Sequence, residues 1–214
     1  MNQFPFQIKV EGSPRRALLR FASKAELQRY RRSLQLFRRE SSTVIREAME
    51  FTRLAAKRWR FYFRIGEAAE SFGDLQRKIR RDTKCEVAFI MIAAIRRKDR
   101  DLPVGLAYCR RTWCHHLVLD FLALHPRALG QNWPMTGVGS GIMFGLVQLA
   151  NSLGISRIWG EATYSSAPFY EKLLAVHPVQ DLFLIEAIEM AAIAKRQEKI
   201  RNPALVRKAP PELQ

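Results

Sequence analysis

Gly137-Val138-Gly139-Ser140-Gly141 puts three glycines at alternate positions. A β-rich stretch lies upstream and the apolar run Ile142 to Leu153 follows, so the spacing predicts a turn that opens a helix. Glycines let backbone N–H groups approach a phosphate closely, and a helix N-terminus adds partial positive charge. A pyrophosphate suits such a turn. No Gly-Lys-Ser/Thr follows, which excludes a Walker A loop. The GxGxG spacing, with no ribose-binding acid after the next strand, excludes the dinucleotide fingerprint. The same glycines would also leave room for close helix packing. Two carboxylates lie in the surrounding apolar stretches, Asp120 and Glu161. Each could take up a proton or form an ordinary ion pair with one of the many arginines. His115, His116 and His125 are the neighbouring imidazoles. No His/Asp/Glu cluster has metal-ligand spacing, and no metal is expected.

Strands and helices must position these groups. Phe6 to Val10 reads as a short extended segment, followed by a turn at Gly12-Ser13-Pro14. Ser23 and Glu26 form a capping-box pattern ahead of Leu27, Tyr30, Leu34 and Phe37 at helical spacing. Val44, Ile45, Ala48, Phe51, Leu54 and Ala55 predict a second amphipathic helix, and Gly66 to Ile79 a third. Phe61-Tyr62-Phe63 fits either helix or strand. From Glu86 the character changes. Glu86 to Ala93, Val104 to Cys109 and Thr112 to Leu124 predict three strands joined as an antiparallel meander. After the Arg127 to Thr136 loop come the glycine turn, a helix from Ile142 to Leu153, and a strand from Ser156 to Ala162. A helix then starts near Pro168, capped by Ser165 or Ser166, and Asp181 to Ile188 is a further strand candidate. The order predicts an α/β fold of mixed α+β type: a mostly antiparallel central sheet with helices on both faces. One domain is expected over 1–214. It divides into an N-terminal helical part (1–84), a core (85–188) and a basic, helical then Pro-rich tail (189–214).

The chain has 214 residues, 48% of them hydrophobic, enough for a packed core. The longest apolar run, Val87 to Ile95, is far short of the roughly 18 residues that span a bilayer. The first residues lack the pattern of a signal peptide. Three cysteines without a CxxC argue against a disulfide framework or a zinc site, and a cytoplasmic protein is expected. The net charge is +16, with 20 Lys/Arg against 9 Asp/Glu in residues 1–82. A field of this sign attracts phosphates, acidic proteins and RNA, so RNA or the ribosome is a possible partner.

The motifs resemble, in order, those of the GNAT family of acetyl-CoA-dependent N-acetyltransferases. Leu122-Ala123-Leu124-His125-Pro126 ends a strand. Gly137 to Ile142 opens a helix. Ile158 to Ala162 forms the next strand, and Ala167-Pro168-Phe169-Tyr170-Glu171-Lys172-Leu173 the next helix. The resemblance covers about residues 85–174. Pro134 stands where the family has Gln or Arg, the loop before Gly137 is longer, and the usual Gly-Phe after the tyrosine helix is missing. The resemblance implies direct transfer of an acetyl group from acetyl-CoA to a primary amine. It implies cofactor binding by Leu122, Leu124, Gly137, Val138, Gly139, Ser140, Gly141, Ile142 and Ser166. The Leu124 N–H would serve as oxyanion donor and Tyr170 as the acid that protonates the thiolate. Glu161 or Asp120 would be the base, since Asp120 shares strand parity with Leu122 and Leu124. Two other readings compete with it. One is an acyl-CoA-binding domain without catalysis, and the other is a protein whose basic N-terminal half docks RNA or a ribosome.

Overall fold

The computed structural model describes residues 3–97, 100–130, 133–176 and 178–201. The chain begins with a hairpin of β1 (Gln3–Val10) and β2 (Ser13–Phe21). Its turn places Glu11 and Gly12 at positive φ, the geometry that suits the twist of two-residue hairpins. Next come α1 (Lys24–Ser33), a 3₁₀ turn over Leu34–Phe37, and α2 (Thr43–Arg64). β3 (Ala68–Ala69) and α3 (Phe72–Arg81) lead into the meander of β4 (Val87–Arg97), β5 (Arg100–Arg111) and β6 (Leu117–Leu124). The C-terminal part holds α4 (Pro126–Leu129), β7 (Met135–Thr136) and α5 (Val138–Leu153). It continues through β8 (Ile158–Glu161), α6 (Ala167–Leu174), β9 (Leu182–Ile185) and α7 (Ala187–Arg201).

One sheet runs in the order β7-β1-β2-β4-β5-β6-β8-β9, with β3 beside β4. Its pairings are antiparallel except β3 with β4 and β6 with β8. Helices cover both faces, as expected. On one face Leu27, Tyr30, Leu34, Ala55, Ala56 and Trp59 of α1, the 3₁₀ turn and α2 bury Ile90, Leu106 and Tyr108. On the other, α5, α6 and α7 close over Phe6, Leu19, Phe89 and Leu119. β4 is buried on both sides along nine residues, which explains its unbroken apolar run.

The N-terminal part differs from the helical expectation. It contributes two full strands, and β2 pairs directly with β4 near the middle of the sheet. The first four residues of β2, Ser-Pro-Arg-Arg, are exposed, so only Ala17, Leu19 and Phe21 carry the alternating signal. The Ser23–Glu26 capping box forms as predicted. Phe61-Tyr62-Phe63 extends α2. Thr112 to His116, expected to be extended, instead makes a turn with His115 at φ 59°. The strand candidate Asp181 to Ile188 shortens to β9, because α7 already begins at Ala187. The tail is helical to Arg201, and residues 202–214 lie outside the described residues.

Gly137, Gly141 and Gly145 fall four residues apart on the face of α5 that meets the hairpin. A Cβ on Gly141 would sit 1.9 Å from the Phe6 ring, and one on Gly145 2.6 Å from Leu19. Both partners are buried, so neither can swing into solvent. Gly141→Ala is expected to destabilise the fold by about 1–3 kcal/mol through overpacking, despite the better helix propensity of alanine. Thermal unfolding checks this, and Phe6→Leu in the same chain should restore part of the loss.

Candidate active site

β6 and β8 run side by side only from Leu117↔Ile158 to Leu119↔Gly160, and then part. The next residue of β6, Asp120, is the extra residue of a bulge. Tyr108 of β5 faces Phe121, and Cys109 faces Leu119. A bulge shifts the alternation of the strand by one. Leu117 and Leu119 turn their side chains to the α5 face before it, and Leu122 and Leu124 do so after it. Backbone directions shift likewise. The His125 N–H donates to the Val104 carbonyl of β5. Peptide groups alternate along a strand, so the N–H and C=O of Leu124 and Leu122 point away from β5. Among the described residues no strand lies on that side, since β8 has already diverged. The result is a short open edge, ready to pair with an extended ligand.

The α5 N-terminus lies against the same end of β6. A Cβ on Gly105, the register partner of Leu124, would lie 3.4 Å from Val138 and 2.8 Å from Ile142. Gly137 adopts φ 85°, a conformation that suits glycine, and the first intrahelical bond runs from the Gly141 N–H to the Gly137 carbonyl. The N–H groups of Val138, Gly139 and Ser140 therefore have no intrahelical acceptor. The glycines themselves serve packing. Gly139 admits the Phe169 ring, whose atoms come within 3.1 Å of an added Cβ, and Gly141 admits Phe6. The expectation that missing side chains bring the backbone to a phosphate is corrected for these two positions: protein fills that space. Only the backbone donors remain for a ligand.

Tyr170 sits on α6, 4% exposed, stacked on Phe183 at 3.9 Å between ring centroids. Burial raises its pKa, with the nearby Cys109 thiol adding to the effect, so the phenol keeps its proton. Gly160 makes this stack possible, because a Cβ there would lie 2.4 Å from the Leu119 carbonyl and 2.8 Å from Phe183. Tyr170 thus lies over the last rung before the strands part. Glu161 follows at the exposed end of β8, with no ion-pair partner among the described residues. Ser166 precedes α6. Its hydroxyl accepts from the Thr163 N–H and donates to the Thr163 carbonyl, so it organises the β8–α6 loop.

Asp120 does not join them. The bulge breaks the strand parity that would have aimed it at the site, and the Asp120 carboxylate turns to the α2 face. There it accepts from Arg110 Nε at 2.7 Å, from Arg110 Nη2 at 2.9 Å and from Arg58 Nη1 at 3.0 Å. Arg110 also reaches Glu86, and these bonds, first of all that to Asp120, raise the guanidinium pKa. His115 and His116 lie beyond the opposite end of β6. His115 Nδ1 accepts from Arg111, which leaves its other nitrogen to donate to the Leu153 carbonyl at the end of α5. Among the described residues, no group of three or more His, Cys, Asp or Glu could hold a metal ion, and no helix is long and apolar enough to cross a membrane.

Two features escaped the sequence reading. The bulge leaves no mark because both faces of β6 are covered and its residues are nearly all apolar. The second is a basic group beside the loop that leads to α5. Arg127 is half-buried near Arg97 and Arg100, its Nη1 has no hydrogen-bond partner among the described residues, and its pKa is lowered by burial and then by those two charges. Arg97 also lies over the Trp133 ring at 5.2 Å.

No protein-family model and no curated protein sequence matches the chain. Among solved structures it is similar to a nourseothricin acetyltransferase at 18% identity and TM-score 0.32, covering 40% of this chain and 48% of that one. It is similar to a candidate streptothricin acetyltransferase of Bacillus anthracis in complex with acetyl coenzyme A, at 15% identity and TM-score 0.35, covering 46% and 62%. It is also similar to a candidate GNAT-family acetyltransferase of Desulfovibrio desulfuricans at 15% identity and TM-score 0.44, covering 79% and 98%. The chain thus spans about half and under two thirds of the lengths of the first two. The resemblance read in the sequence recurs among solved structures over part of the chain. It assigns neither activity nor acceptor.

His125 closes β6 and is fully buried. Its Nδ1 accepts from the Arg127 N–H, so Nε2 carries the proton and faces Ser33 Oγ at 2.9 Å. Burial, and then Arg127, lower its pKa to about 3. The unfolded chain therefore binds more protons than the folded one between about pH 6.5 and pH 3, and stability falls as pH drops through that window. Between pH 7 and pH 4 this group alone accounts for about 3 kcal/mol. Denaturant unfolding of His125→Asn, which keeps a helix-capping side chain, should show a correspondingly flatter loss of stability with acid.

Proposed function

We propose that the chain binds acetyl-CoA along the open edge of β6 and transfers the acetyl group to an amine. The observation that carries this reading is the juxtaposition at one end of β6. Among the described residues, the backbone of Leu122 and Leu124 is unpaired on one side, and three N–H groups at the head of α5 lack intrahelical acceptors. The pantetheine arm is an extended chain of amides, and it pairs with Leu122 and Leu124 as a further strand would. The pyrophosphate takes the N–H groups of Val138, Gly139 and Ser140. Ile142 and Ser166 support this site from the helix and the neighbouring loop. The amine nitrogen attacks the thioester carbonyl, and its proton passes to Glu161, directly or through water. The Leu122 N–H, nearer Tyr170 than the Leu124 N–H that the resemblance implies, stabilises the developing oxyanion, the C–S bond breaks, and Tyr170 gives its proton to the departing thiolate. Asp120, tied to two arginines, is set aside as the base.

The burial of Tyr170 favours one second reading, an acyl-CoA-binding protein without turnover. The two readings separate cleanly. Ser140→Glu adds a carboxylate in the first turn of α5, which suits the helix dipole but repels a pyrophosphate. Calorimetry should find acetyl-CoA binding to the wild type weakened at least tenfold in this variant, with thermal stability kept. If the folded wild type does not bind acetyl-CoA, the assignment fails. Given binding, acetylation of an amine panel should fall roughly ten- to a hundredfold in kcat for Tyr170→Phe with little change in KM. Binding without any turnover selects the second reading.

A further inference from the structure

The layer formed by α1, the 3₁₀ turn and α2 carries charge that acetyl transfer does not use. Residues 24–64 hold twelve Lys/Arg and four Asp/Glu. On α2 the exposed cations Arg46, Arg53, Lys57, Arg60 and Arg64 follow one another by 7, 4, 3 and 4 residues. At 100° per residue, this spacing keeps all five within about 40° of one line along the helix. The line is about 27 Å long. Glu50 is the acid within it, and it is bound to Arg53. Among the described residues, Arg46, Lys57, Arg60 and Arg64 have no carboxylate partner. At the N-terminal end the stripe meets a groove of about 320 Å³, where Arg31 and Arg38 join Arg46 and Arg53. At the other end Phe61, 51% exposed, stands beside Arg60.

We propose that the α2 stripe is a docking surface for a single-stranded nucleic acid. An anion with one or two phosphates would meet only one or two of these cations. A strand brings phosphates at regular intervals and can engage the whole line. The guanidinium groups suit phosphate oxygens, and an exposed ring flanking the stripe offers a base a stacking surface. Most of the surface lies on the face of the sheet opposite α5, α6 and α7, and its Arg46 end meets the β8–α6 loop, where Ser165 Oγ donates to Glu47.

The test is fluorescence anisotropy with a labelled 20-nucleotide single-stranded RNA of mixed sequence. The wild type should bind with a log–log salt slope of about −3, from four to five phosphate contacts at about 0.7 each. Arg46→Gln/Lys57→Gln/Arg60→Gln should bind at least tenfold more weakly at 50 mM salt and lose about two units of slope. Lys172→Gln/Lys195→Gln/Lys199→Gln removes the same charge from exposed positions on α6 and α7, and should weaken binding less than threefold. Phe61→Ala should weaken the RNA several-fold and leave binding of inorganic polyphosphate unchanged. Equal losses in the two triple variants, polyglutamate binding more tightly than RNA, or no RNA binding to the folded wild type would each overturn the proposal.

Discussion

Asp120 is the extra residue of β6, and two guanidinium groups hold its carboxylate on the α2 face. The side chain is almost wholly buried, and removing one member of such a pair costs on the order of 3 kcal/mol. Everything downstream depends on where this residue turns. With the bulge in place, Leu122 and Leu124 present their backbone groups to the side that β8 vacates. Without it, alternation would aim those groups at β5, and the open edge would offer Ala123 instead. An acid that looked like a candidate for proton transfer is thus a structural pin that sets which peptide groups are exposed.

The candidate site divides its labour between backbone and side chains. The donors come from peptide N–H groups, whose positions the fold fixes. The missing side chains at 139 and 141 serve Phe169 and Phe6, which lock α5 against α6 and against the first strand. Gly160 does the same for the Tyr170–Phe183 stack. Glycine therefore shapes the site from behind and not from the ligand side.

Much of this architecture was legible in the residues. The capping box at Ser23, the meander that follows Glu86, and the helix that ends at Leu153 follow local rules, and the structure contains them. β2 was not legible, because exposed arginines fill its first half and its partner β4 lies some seventy residues on. The splay between β6 and β8 is a relation between strands that no local pattern encodes. The parity of Asp120 was misread for the same reason: a bulge is written in tertiary contacts, here Arg110 and Arg58, and not in the apolar run that contains it. The line of cations on α2 was countable as charge, yet its direction emerges only once Phe61 to Arg64 are known to continue the helix.

The glycine face of α5 has a consequence for binding entropy. Close contacts at Phe6 and Leu19 leave this helix no freedom to slide or turn along its axis. A slip of one residue would rotate the face by 100° and drive a side chain into the hairpin. The first-turn amides are thus held in place before any anion arrives, and a ligand there need not order them. The rigidity comes from the first twenty residues of the chain, far in sequence from the turn they immobilise.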